Sequence, residues 1–149
     1  MFDARNPGSP ERYSHRELLN ILARSDADTL SEIAQEILPG LEEIEVVESR
    51  TGLVMLPMRD TVKGTDFHLG EVLVAEAHIR TGGQVGYGMR AGRDLEAVMA
   101  MAVIDAAVAL GRNAGRIGAF LAEQDAAQKA VDESRQRAVE ATRVKMETF

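Results

Sequence analysis

The chain has 149 residues, 45% of them hydrophobic, enough for one core-forming domain with appendages. Its formal net charge of −7 argues against generic nucleic-acid binding, which needs a basic face to displace counterions from phosphates. With no cysteine, disulfides, thiolate metal sites, iron–sulfur clusters and thiol nucleophiles are excluded within this chain. No apolar run reaches the length of a membrane span, and Met1–Pro10 lacks the apolar segment of a signal peptide. A cytoplasmic protein without a membrane partner is expected.

Asn6-Pro7-Gly8-Ser9-Pro10 marks residues 1–11 as a flexible leader, with a single α+β domain over 12–149. Ser14 stands three residues before Glu17, the spacing of a capping box, and Leu18, Leu19, Ile21 and Leu22 supply an apolar face. Asp26 can cap a second helix carrying Leu30, Ile33, Ile37 and Leu38, which Pro39-Gly40 ends. The pair reads as an N-terminal helical hairpin whose apolar sides need somewhere to pack.

The pattern then turns strand-like. Ile44–Glu48 reads as one strand and Leu53–Leu56 as a second, with Gly52 as the break and Pro57 demoting the far end to an edge or bulge. Arg59–Asp66 is polar and reads as a loop. Phe67–Arg80 is the longest strand-like run, although Ala75-Glu76-Ala77 also suits a helix. Gly82-Gly83 signals a tight hairpin, after which Gln84–Met89 returns antiparallel. The expected sheet is small and antiparallel, with about four strands.

Gly86–Leu110 is the structural centre of this reading. Gly86-Tyr87-Gly88-Met89 ends a strand, Ala91-Gly92-Arg93 makes a tight turn, and Asp94 caps a helix through Val98, Met99, Ala102, Ala106 and Leu110. That helix is apolar almost all round and should be buried against the sheet. Asp105, the one charge well inside it, must reach water or a partner. After the Gly111–Gly115 break, a helical arm from about residue 113 runs to about Met146 with a thin stripe of Ile117, Phe120, Leu121, Ala127, Val131 and Ala138. It is roughly 40 Å long if straight. Both this arm and the apolar hairpin are expected to lie on a partner.

Candidate chemistry is sparse. Gly86, Gly88 and Gly92 are spaced one residue too long for a dinucleotide fingerprint and lack a parallel βαβ unit, so glycine tolerance of a tight turn is the simpler reading. Arg90 and Arg93 beside a helix N-terminus can hold a phosphate or carboxylate, but Asp94 competes for the same N–H groups. Arg59-Asp60 can join that polar corner. His68 and His78 fall on one strand roughly 33 Å apart, too far to share a metal, and His15 stands alone. Glu71 and Glu76 fall on opposite strand faces, which gives no support to paired-carboxylate catalysis. No metal site and no catalytic residue is assigned; the ligand or interface candidates are Arg59, Arg90, Arg93, Asp94 and Asp105.

An ordered set of residues resembles one family. Glu48-Ser49-Arg50-Thr51-Gly52-Leu53-Val54-Met55, Arg59-Asp60, Gly64 and Phe67-His68-Leu69-Gly70-Glu71 come first. Glu76-Ala77, Gly86-Tyr87-Gly88, Gly92-Arg93-Asp94 and Asp105-Ala106 follow. Ala141-Thr142-Arg143-Val144 and Glu147-Thr148-Phe149 close the set. From about Leu18 onward the chain resembles PhnG of the bacterial carbon–phosphorus lyase system. The resemblance implies a subunit that assembles with PhnH-, PhnI- and PhnJ-like partners. With PhnH-, PhnI- and PhnL-like proteins it would take part in making α-D-ribose 1-methylphosphonate 5-triphosphate from ATP and methylphosphonate. The nucleosidase centre then belongs to the PhnI-like subunit and the iron–sulfur radical chemistry to the PhnJ-like one. This chain would carry no cofactor, ATP being a substrate of the assembly. The alternatives are an independent phosphate or nucleotide binder using Arg90 and Arg93, or a structural homodimer that pairs its arms when isolated.

Overall fold

The computed structural model describes residues 8–144. Among them, four α-helices and a three-stranded antiparallel sheet form in the order α1 (His15–Arg24), α2 (Ala27–Ile37), β1 (Glu45–Arg59), β2 (Asp66–Thr81), β3 (Gln84–Ala91), α3 (Leu95–Ala109) and α4 (Ala114–Ala141). None of these helices is long and apolar enough to cross a membrane.

Side-chain caps set three of the helix starts. The Ser14 hydroxyl accepts from the Glu17 N–H, and the Ser14 N–H donates to Glu17 Oε2 at 2.8 Å, closing the expected capping box. Asp26 accepts from the Thr29 N–H at 3.0 Å, and Asp94 accepts from the Ala97 N–H at 2.9 Å. Each such cap contributes about 1 kcal/mol by satisfying an otherwise unpaired N–H.

The sheet is a meander in the order β1-β2-β3. The expectation of about four strands is corrected here to three: β1 runs unbroken through Gly52, which pairs with Val74. Glycine weakens a strand by backbone entropy and by lost packing, and at Gly52 only the first applies, since nothing lies within 4 Å of a Cβ there. Pro57 is accommodated at a register shift, and β1 is an edge strand, where a missing N–H costs no ladder bond.

α3 covers the face of β2 and β3 that carries Ala75, Ala77 and Ile79. Its apolar surround is buried from Ala97 to Ala107 apart from the half-buried Met99, as its composition requires. The approach is close because β3 offers glycine there. A Cβ on Gly86 would collide with the Ala102 carbonyl oxygen, and one on Gly88 with that of Val98. Those two glycines therefore serve helix–sheet packing.

The helical hairpin does not wait for a partner. Leu18, Ile21 and Leu22 of α1 and Leu30, Ile33 and Ile37 of α2 are all buried in the same core as α3. That part of the partner expectation is overturned: the apolar sides of the hairpin close over α3. α4 is divided. Ile117, Phe120 and Leu121 are buried in the core, whereas Val131 and Val139 are exposed farther along. Of the segment read as a leader, Pro10–Arg12 forms a 3-10 turn with Ser9 at its N-cap and Pro10 buried. Gly8 lies against Gly118 so closely that no side chain fits between them. Residues 1–7 and the closing Glu147-Thr148-Phe149 lie outside the described residues, as does Met146, the expected end of the arm.

Candidate functional site

β2 pairs with β3 only from Val74 to Thr81, whereas its pairing with β1 continues to Asp66. Gly52–Leu73 is therefore a two-stranded ribbon projecting roughly 27 Å past the body, at 3.4 Å per residue. Two strands alone are marginally stable in water, because neither face has a layer to pack against.

Both faces of this ribbon are nevertheless apolar. One face carries Leu53, Met55 and Leu73, and Val54, Leu56 and Val72 lie on the other. Beyond the bulge, Met58 pairs with Phe67. Leu53 and Leu69 are each 61% exposed and Met55 is 59% exposed. Between Leu53 and Leu73 the exposed large apolar side chains present on the order of 800 Å², about what one partner contributes to a standard interface. That area is divided between the two faces and the tip of the ribbon, so partners on either side could each cover part of it. The ribbon tip is tied by Asp60, which accepts from the Val62 and Lys63 N–H groups. Those bonds hold the Asp60 carboxyl below its usual range.

At the base of the ribbon lies an apolar groove of about 460 Å³ between α2, α3 and β1, lined by Ala34, Leu38, Ile44, Val46, Met99 and Val103. It shares Ser31, Gln35 and Glu96 with an adjoining cleft that adds Asp28, Glu32 and Asp94. Groove and ribbon together are the largest uncovered apolar feature of the described residues.

A second constellation is polar. Asp105, 4% exposed, accepts from the Tyr87 N–H at 2.9 Å through Oδ2, and its Oδ1 lies 2.8 Å from His15 Nε2. α3 thereby satisfies a backbone donor on the outer edge of β3. The His15 side chain is 66% exposed and opens on a pocket of about 540 Å³ lined by Pro10, Glu11, Tyr13, Val85 and Val108. A His–Asp pair beside a cavity is a geometry used for proton transfer. Here the carboxylate also has a structural task, since it would be costly to bury without these partners.

The five residues singled out from the sequence do not converge. Arg59 sits at the ribbon tip, donating to the Gly64 carbonyl at 3.0 Å with Asp66 at 3.7 Å. Arg90 is partly buried and donates to the Leu22 and Ser25 carbonyls at 2.7 and 2.8 Å, closing the C-terminal end of α1. Burial lowers its pKa, with Asp94 and Asp26 acting in the opposite direction. Asp94 is the α3 cap, and Asp105 belongs to the His15 node. Arg93 is exposed beside the α3 N-terminus with no hydrogen bond or ion pair among the described residues.

Two groupings were invisible in the sequence. His15 and Asp105 lie 90 residues apart, and no spacing rule joins them. On the uncovered sheet face, Arg50 bridges Glu48 and Glu76 at 3.0 Å each, and the His78 and Tyr87 rings meet edge-on at 4.7 Å. Burial first, then the neighbouring Glu76, raises the Tyr87 pKa. Alternation puts Glu76 and His78 on one face of β2, but the register that sets Arg50 beside them is not written in the sequence. Among the described residues no group of three or more acidic or histidine side chains could hold a metal ion.

No curated protein matches the chain. Its sequence matches the family model described as phosphonate metabolism protein PhnG over residues 14–149, so that everything from the α1 cap onward is covered. The chain thus belongs to the PhnG family of phosphonate metabolism proteins.

Proposed function

We propose that this protein is a subunit of a carbon–phosphorus lyase core, working with PhnH-, PhnI- and PhnL-like proteins. The reaction is the formation of α-D-ribose 1-methylphosphonate 5-triphosphate from ATP and methylphosphonate. A PhnJ-like subunit is a further partner in the core. Membership of the family supplies the process. The observation that carries the subunit role is the ribbon, apolar on both faces and extended well past the body. A protein that worked alone would gain nothing from holding such a surface in water, and would risk aggregation through its open strand edges. Catalysis is assigned mainly to the PhnI-like partner. This chain contributes shape and contacts, and the assembly operates in the cytoplasm, where ATP is available.

Reconstitution by omission tests the reading. Purified partners are incubated with ATP and methylphosphonate, with and without this chain, and the phosphonate product is followed by phosphorus NMR. The expected result is product only when the chain is present, and none from the chain alone. Full product formation without it, or turnover by the isolated chain, contradicts the proposal.

A further inference from the structure

We infer that the groove between β1, α2 and α3 receives a helix of a partner subunit, one whose apolar stripe is flanked by lysine or arginine; this rests on the subunit reading above. The sheet spaces its strands about 4.8 Å apart, and packed helices lie about 8–10 Å apart, so one helix covers roughly two strands. α3 covers β2 and β3 and touches β1 only slightly. A second helix beside α3 would therefore sit over β1, where the helix layer is vacant.

The floor of that position is already shaped for it. Ser49, Thr51 and Leu53 of β1 pair with Ala77, Ala75 and Leu73, so they lie in the row that faces the helix layer. Ser49 and Thr51 come first, close to the body and opposite Ala77 and Ala75, and Leu53 with Met55 adds large apolar side chains farther out on the ribbon. Met99 and Val103 of α3 and Leu38, in the turn that follows α2, form the wall. An amphipathic helix with anchors at successive turns fits such a track.

Charge identifies the occupant more closely. The adjoining cleft presents Asp28, Glu32, Asp94 and Glu96, and of these Asp94 is committed to the α3 cap. Among the described residues Asp28, Glu32 and Glu96 have no ion-pair partner, so a docked helix meets an acidic rim on the α2 side. Basic flanks on the helix would neutralise it. A second copy is a poorer occupant. The whole molecule carries −7, and α4 offers only Val131 and Val139 as large exposed apolar groups.

The test uses the complex obtained by co-expression with PhnH-, PhnI- and PhnJ-like subunits. A photo-crosslinking amino acid replaces the exposed Gln35 in the groove, with Gln136 on α4 as the comparison position. The expected product joins Gln35 to a partner helix bearing Lys or Arg. Two variants at exposed positions, Val46→Asp and the pair Glu32→Lys with Glu96→Lys, each weaken assembly about tenfold or more in titration. The charge-reversed loss shrinks as salt rises, because screening removes the repulsion. Unchanged melting of the isolated variants confirms that they fold. Wild-type affinity in both variants overturns the inference, and so does a crosslink to residues 145–149 of this chain or to a second copy. If the wild-type chain itself fails to assemble, the subunit reading falls first and takes this one with it.

Discussion

Replacing Asp105 probes the junction that ties α1, β3 and α3 together. In Asp105→Ala the Tyr87 N–H loses its acceptor and His15 loses its anchor. A buried donor left unsatisfied costs about 1–3 kcal/mol. The neighbouring pocket of about 540 Å³ lets water reach part of the site, so we take a loss of about 2 kcal/mol. For a chain of this size that lowers Tm by about 4–8 °C. Asp105→Asn keeps an oxygen for the Tyr87 N–H and should lose about 1 kcal/mol. His15→Ala takes away the partner of Asp105 Oδ1 but opens that oxygen to water in the adjoining pocket, and should cost about 1 kcal/mol. Urea denaturation of the variants, with equal slopes, measures the differences directly. An Asp105→Ala protein within about 0.5 kcal/mol of wild type would refute the reasoning, as would an asparagine variant as unstable as the alanine one.

Gly88→Ala should destabilise by about 1–3 kcal/mol or more, because its Cβ meets the rigid Val98 carbonyl, whereas Gly52→Ala should be nearly neutral; thermal melts separate them. Arg90→Ala should lower stability by about 1–3 kcal/mol in denaturant titration, since the carbonyls of Leu22 and Ser25 lose a charged donor. The folded-state pKa values of Glu17 and Asp26 are depressed, by bonds from Ser14 and from Thr29 respectively. Depressed carboxylates stabilise above their unfolded values of 4.5 and 3.8, and the contribution is lost as pH falls through the lower folded values. Melting temperature should therefore drop on acidification below about pH 4.5, and less steeply in a Glu17→Gln, Asp26→Asn variant.

The local signals in the sequence were legible because each is settled within a few residues. Ser14 with Glu17, Asp26 and Asp94 all cap the helices that follow them, and Gly82-Gly83 makes the hairpin turn at positive φ. The surround of α3 announced its burial. The failures are all tertiary. Gly52 read as a break, yet β1 pairs with β2 straight through it, because nothing packs on the strand there; the edge-or-bulge reading of Pro57 stands, with a register shift at that residue of an edge strand. The destination of the hairpin was ambiguous because an apolar face does not say whose core it joins, and here α3 accepts it. Arg90 looked like an anion ligand until the C-terminal end of α1 arrived beside it. His15 and Asp105 meet only because α1 and α3 flank the outer edge of β3.

The claim that the ribbon is a surface for partners is reached most directly by hydrogen exchange of the Gly52–Leu73 amides, measured in the isolated chain and again in the co-expressed assembly. The account predicts fast exchange along the outer edge of β1 in isolation and strong protection in the assembly, while α3 stays protected in both. Ribbon exchange that is equally fast in the assembly would contradict it.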